Sequence, residues 1–357
     1  MANVPLASSD LEEPITVPDL GGNRLPGFDY LRVCFMLSVI STHANLVISW
    51  AVDLEKYVGL GPNFIDFFYL HIQSAAVPTF ILLSSFLFCS KPVTWSRTRS
   101  RLKKLSFLYI FWVSAWVYYT RPVVEMNFLS ILELVLRGGG WLFYFIAILI
   151  LMTIQTAVIA VVSKKWQLFA LGLCALILLV TEWYLTSNYR WMVTYYYWLP
   201  NCFVLLPSFA VWLSQNKTCF TTDSRTRWRW VLLLLTASII AGLIEWHFSA
   251  PRELIDEARR WLPKHARFSI QFTALAIVII GLGIRRQPGV IVKFLARNAL
   301  GIYCLHGFVI GGFVKASRII VGEYLPVLVI PLACVGVTVA CALASEFLRK
   351  AFQHRLI

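Results

Sequence analysis

The chain alternates between long apolar runs and short polar, mostly basic, breaks. A helix that crosses a bilayer needs roughly 20 mostly apolar residues. By that measure ten runs qualify, at 28–51, 65–89, 105–120, 140–162, 166–186, 198–214, 229–248, 268–285, 298–314 and 325–347. The pattern predicts an all-α fold, a polytopic transmembrane helix bundle of about ten spans. The runs at 198–214 and 298–314 are short, so they either cross with little tilt or re-enter. No repeat of fixed period and no low-complexity tract interrupts the series.

The polar segments set the boundaries and the orientation. Residues 1–26 are polar and acidic and lack the basic start and apolar run of a signal peptide, so they read as a flexible cytoplasmic tail. Residues 27–350 form one membrane domain, and 351–357 a short cytoplasmic tail. Lys and Arg concentrate on cytoplasmic loops. Both termini are therefore expected in the cytoplasm: that places 20 of the 32 Lys and Arg on that side, 11 on the other, and Arg32 inside a span. The loop SAPRELIDEARRWLPKHARF (249–268) strains this rule with five basic residues. Its apolar positions recur at helical spacing, Ser249 can cap and Pro251 suits a first turn. It therefore reads as an amphipathic helix on the outer surface, an anchor sooner than a lid. The aromatics of NYRWMVTYYYWLP (188–200) read as an interfacial belt.

Composition agrees. Of 357 residues 59% are hydrophobic and 14% charged, where soluble domains carry about 25% charged. The net charge of +14 is the excess expected of basic loops beside membrane spans and calls for no nucleic acid. The eight cysteines form no CxxC pair and lie mostly within apolar runs, as small buried hydrophobes would; no metal is expected.

Charged groups inside spans are costly and usually mark function. The first span, FDYLRVCFMLSVISTH (28–43), carries three. Asp29 and Arg32 are three apart on one helix face and can pair at the cytoplasmic entrance. His43, fifteen residues beyond Phe28, lies roughly 22 Å from the start of the span, in the outer third of the core. Arg32 either contacts a ligand or snorkels to the interface; for His43 a functional role outweighs helix packing.

The eleven-residue offset from Arg32 to His43 resembles the first-helix signature of the acyltransferase 3 family, integral-membrane enzymes that acylate glycans and other extracytoplasmic acceptors. VPTFILLSSFLF (77–88), RLKKLSFLYIFW (101–112), WLFYFIAILI (141–150) and NALGIYCLHGFVI (298–310) resemble four further blocks in order, the last ending in a Tyr-x2-His pair. The resemblance covers 28 to about 347. Ser85 stands where Gly is usual and Leu108 where Pro is usual, which concerns local packing and kinking.

The resemblance implies a membrane O-acyltransferase, polysaccharide O-acetyltransferase-like, in a bacterial inner membrane. Its donor would be cytoplasmic acetyl-CoA. Its partners would be membrane lipid, an extracytoplasmic glycan or lipid-linked glycan acceptor, and polysaccharide-assembly proteins. His43 matches the family's catalytic histidine, acting as general base or through an acyl-histidine. Arg32 would touch the donor or lock the helix through Asp29. The loop WSRTRSRLKK (95–104) offers Arg97, Arg99, Arg101, Lys103 and Lys104 to the donor's phosphates, although positive-inside bias alone accounts for such charge. Both Arg97-x-Arg99 and Arg99-x-Arg101 fit the family's Arg-x-Arg motif. His306 is expected in the cytoplasmic half, suited to donor binding or to helix packing. Asp66, Glu182 and Glu245 are candidates to orient His43. The competing class is a multi-span transporter or exporter of a glycan or small solute, but no inverted repeat supports it. A further alternative is a structural partner in a polysaccharide-export complex.

Overall fold

The structure is a computed structural model. It describes residues 25–48, 71–120, 143–187, 199–249, 264–321 and 326–352, with 130, 134, 135 and 138 between them. The described residues are all-α. Helices α1 (Pro26–Ile48), α2 (His71–Ser74), α3 (Ala76–Cys89) and α4 (Trp95–Thr120) are followed by α5 (Tyr144–Val161) and α6 (Lys164–Ser187). After a 3₁₀ turn at Pro200–Phe203 come α7 (Leu205–Gln215), α8 (Lys217–Thr222) and α9 (Ser224–Ser249). A second 3₁₀ turn, Lys264–Ala266, precedes α10 (Phe268–Gly283), α11 (Val290–Val321) and α12 (Pro326–Ala351).

The local signals are visible in the sequence. Pro26 opens α1, where its missing N–H costs nothing, and Asp29 in the first turn complements the helix dipole. Asp223 caps α9: its Oδ1 accepts from the Arg225 and Thr226 amides at 2.8 and 3.2 Å. The Thr226 hydroxyl, and then its amide, hold that carboxyl below its ordinary range.

Six helical segments are long and apolar enough to cross a membrane: His71–Cys89, Tyr144–Val161, Lys164–Tyr184, Ser224–Glu245, Val290–Ile320 and Leu328–Ala351. Phe268–Gly283 is apolar but shorter. The outer faces of α6, α9 and α12 expose Phe169, Leu176, Leu232, Ile239, Val335 and Leu343. A soluble monomer rarely exposes apolar surface on this scale, so the molecule is a multi-pass membrane protein.

α1 is the inner helix. It packs against α3, α10, α11 and α12. One side contributes Phe28, Phe35 and Val39 to the main core, with Phe86, Trp112 and Ile279. The other contributes Met36, Ile40 and Ala44 to a second core, with Ile302, Ile310 and Val337. Helices in lipid associate through close packing, which small residues permit. At the α1–α10 contact a Cβ on Gly27 would meet the Gly281 carbonyl oxygen at 1.9 Å, and one on Gly281 would meet Leu31. Position 27 therefore admits only glycine, and the crossing fixes the start of α1 against the bundle.

The helices depart from the apolar runs in informative ways. α4 begins at Trp95, so the basic stretch 95–104 is helix, not loop. Arg and Lys are good helix formers, and apolarity marks membrane depth instead of helix length. For the same reason α11 extends over Val290–Val321, well beyond the run at 298–314. The run at 65–89 breaks at Ala75, and the run at 198–214 becomes a 3₁₀ turn and an 11-residue helix. At about 16 Å, α7 is too short to cross alone. The expected amphipathic helix, most of the aromatic stretch and the N-terminal tail fall on 250–263, 188–198 and 1–24, outside the described residues. Asp66 and residues 353–357 fall outside them as well.

Candidate active site

α1 and α11 run side by side in the same direction. Near their starts the Tyr30 hydroxyl donates to the Gln287 carbonyl at 3.3 Å. Further along, His43 Nδ1 lies 2.7 Å from His306 Nε2. The two imidazoles are nearly parallel, 21° apart, with centroids separated by 4.9 Å. His306 is fully buried, and its other nitrogen, Nδ1, donates to the Tyr303 carbonyl at 2.5 Å. Its depth differs from the expectation because α11 starts at Val290. His306 sits 16 residues from that end and His43 17 from Pro26, about 25 Å in each case. The two histidines come level, and His306 faces His43 instead of the basic residues.

Below the pair is a cavity of about 510 Å³ between α1, α3, α4, α5 and α11. Tyr303, one turn from His306, lines it together with Phe80 and Phe145; the Phe145 and Tyr303 rings lie 5.0 Å apart. Four cations also line it: Arg32, Arg101, Lys104 and Arg297. The Arg32 Nη1 lies 3.3 Å from Oδ1 of the buried Asp29, so this arginine both faces the cavity and is tied to its own helix. Arg101 is anchored more firmly. Its Nε donates to the Thr153 hydroxyl at 3.0 Å, and its Nη2 donates to the Ser84 hydroxyl and carbonyl at 2.6 and 3.3 Å. Its guanidinium also lies over the Phe88 ring, 5.0 Å from the centroid.

The helical state of 95–104 settles which basic residues share a face. Arg97 and Arg101 are one turn apart, and both stack on Phe88. Arg97 also donates to the Lys91 and Pro92 carbonyls at 2.9 and 3.1 Å. Arg99 and Lys103 are exposed and do not line the cavity. A second hollow, about 430 Å³, lies between Phe88, Thr94, Ser96, Arg97, Ser100 and the shared pair Arg101 and Lys104. Neither Arg-x-Arg register places two arginines together; the spacing that does is Arg97-x3-Arg101.

The sequence did not single out Arg297, Ser84 or Thr153, and it offered Tyr303 only as the tyrosine of the Tyr-x2-His pair. Arg297 looked like one more loop charge, yet it lies on α11, level with Arg32, and its Nη2 is 3.3 Å from Glu346. Asn298 and Ser345 complete that clasp between α11 and α12: Asn298 Nδ2 donates to Glu346, and Ser345 donates to Asn298 Oδ1 at 2.9 Å.

A separate polar cluster lies between α2, α6, α9 and the start of α10. Glu245 accepts from the Ser269 amide at 2.9 Å and from the Ser269 hydroxyl. The fully buried Arg267 lies within electrostatic reach of Glu245 and Glu182. His71 contacts the hydroxyls of Thr273 and Ser238 at 2.9 and 3.3 Å. Glu245 is thus engaged with α10, and the group facing His43 Nδ1 is an imidazole.

An interior imidazole pair thus stands above a cation-lined cavity inside a membrane bundle. Among known proteins, the model of the acyltransferase 3 family, described as an acyltransferase domain, matches residues 25–346, nearly the whole chain. No curated protein and no solved structure gives a significant match. With that match added to the bundle, the chain belongs to the acyltransferase 3 family and is a multi-pass membrane acyltransferase.

Proposed function

We propose that this protein, in a bacterial inner membrane, moves an acyl group, acetyl in the simplest case, from cytoplasmic acyl-CoA to a hydroxyl of an extracytoplasmic glycan or lipid-linked glycan. His43 is the general base. The observation that carries this reading is the His43–His306 pair, one turn above a cavity whose charged lining groups are Arg32, Arg101, Lys104 and Arg297.

The polyanionic end of CoA meets the cationic end of the cavity, where arginine forks can hold phosphate oxygens in pairs. The pantetheine arm runs between Phe80, Phe145 and Tyr303 toward the histidines. Arg32 and His43 are eleven residues apart, about 16 Å along α1, which is the depth the arm must cover. With both termini cytoplasmic, as the Lys and Arg bias of the loops implies, the cations face the donor's compartment and His43 lies toward the acceptor. His43 takes the proton of the acceptor hydroxyl as its oxygen attacks the thioester carbonyl. When the C–S bond breaks, the same proton passes to the departing sulfur, giving an ester and CoA thiol. Imidazole suits both transfers because its ordinary pKa lies near neutrality.

Mass analysis of surface glycans and lipids from a strain lacking the gene tests the reading. One acyl mass should vanish from one species and return on complementation. A deletion strain that keeps every acyl mass on its glycans and lipids would overturn it.

A further inference from the structure

The structure assigns to His306 the role of positioning residue: by accepting the Nδ1 proton of His43 it fixes the tautomer that makes His43 a base. The inference rests on the proposed role of His43 and adds to it the group that sets its state.

The Tyr303 carbonyl can only accept, so His306 Nδ1, 2.5 Å away, must carry a proton. A neutral His306 then has its lone pair on Nε2. That nitrogen lies 2.7 Å from His43 Nδ1, so the proton between the rings belongs to His43 Nδ1. The lone pair of neutral His43 is therefore on Nε2, the nitrogen that takes the acceptor's proton. A histidine's reactive nitrogen is set in this way by the bond its other nitrogen makes.

The arrangement also survives the reaction. When His43 Nε2 gains a proton, Nδ1 still donates to His306, so neither ring has to turn. The full burial of His306 and the backbone anchor at Tyr303 leave the pair little freedom to adopt the opposite tautomers. Tyr303 itself lines the cavity, so the anchor is part of the donor wall.

The test compares His306→Ala and His306→Gln in the full-length chain. The assay uses labelled acetyl-CoA and membranes whose own glycan serves as acceptor. Glutamine can offer Oε1 where His306 offers Nε2, and alanine offers nothing. His306→Ala should lower kcat about 10- to 100-fold, the range seen when the group that orients a metal-bound histidine is lost. KM for acetyl-CoA should stay within about twofold, because uniform binding is untouched. His306→Gln should recover most of the lost kcat. Two results would overturn the assignment: glutamine no better than alanine with both variants folded by thermal unfolding, or a rise in KM with kcat intact, which is the mark of a donor-binding residue. His43→Ala, run in parallel, separates the two ideas. If it transfers acetyl normally, the base assignment fails and this one with it. If it is inactive while the glutamine variant shows no recovery, only the positioning role fails.

Discussion

Replacing His43 by alanine is expected to lower acyl transfer by about 10²–10⁴-fold, the range that general acid–base groups contribute, while acetyl-CoA still binds. The expectation follows from where the parts lie. His43 is on the inner helix, level with His306, and it is not among the residues lining the cation-bearing cavity. Its removal takes away the proton acceptor and leaves Arg32, Arg101, Lys104 and Arg297 in place. The checks are a transfer assay with labelled acetyl-CoA and a separate binding measurement on the purified protein. Transfer at the wild-type rate would refute the assignment. Loss of transfer together with loss of CoA binding would move His43 into the donor site.

Replacing Arg101 should produce the opposite pattern, weaker donor binding with the chemistry preserved. A hydrogen bond to a charged group contributes roughly 1.5–3 kcal/mol, so losing the guanidinium contact to a phosphate should raise the Kd for acetyl-CoA about 10- to 100-fold. Arg101 is the strongest candidate because its fork is already oriented: Ser84 and Thr153 hold Nη2 and Nε, and Phe88 supports its face. It also borders both hollows at this end of the bundle. The same bonds join α4 to α3 and α5, so alanine also loosens packing. Arg101→Lys, which keeps the charge and loses the planar fork, separates binding from folding. Lysine should leave thermal stability nearer wild type and still bind acetyl-CoA more weakly. Arg99→Ala, on an exposed position outside the cavity, should change the Kd less than about twofold, as surface changes do. If Arg99 mattered as much as Arg101, the phosphates would bind elsewhere.

The first helix was the most legible part of the molecule. Asp29, Arg32 and His43 stand out because charge within an apolar run is costly, and their spacing along α1 is fixed by helix geometry. The pairing of Asp29 with Arg32 follows from the same spacing and is present at 3.3 Å. The relation of His306 to His43 was hidden. A hydropathy run measures the apolar part of a helix, and Lys293 and Arg297 disguised the first turns of α11. Counting from the run instead of the helix end placed His306 too low. A related blind spot affected the basic stretch at 95–104, where reading a loop left the Arg-x-Arg register open; as helix, it aligns Arg97 with Arg101. Ser84 and Thr153 could not have been selected. Hydroxyls on apolar helices leave no pattern, and what brings these two onto Arg101 is tertiary packing. The histidine pair is likewise a contact across 263 residues of chain, beyond any local signal.

The central claim is that an acyl group enters from the cationic end of the cavity and leaves on an acceptor at the histidine end. Vectorial transfer in vesicles measures it directly. The purified protein is reconstituted with one orientation, labelled acetyl-CoA is supplied only on the side of the chain termini, and a lipid-linked glycan acceptor is confined to the other leaflet. The account predicts label in the acceptor on the far side, CoA thiol left on the near side, and neither with His43→Ala. Label that appears only when acetyl-CoA and acceptor share the same side would contradict it.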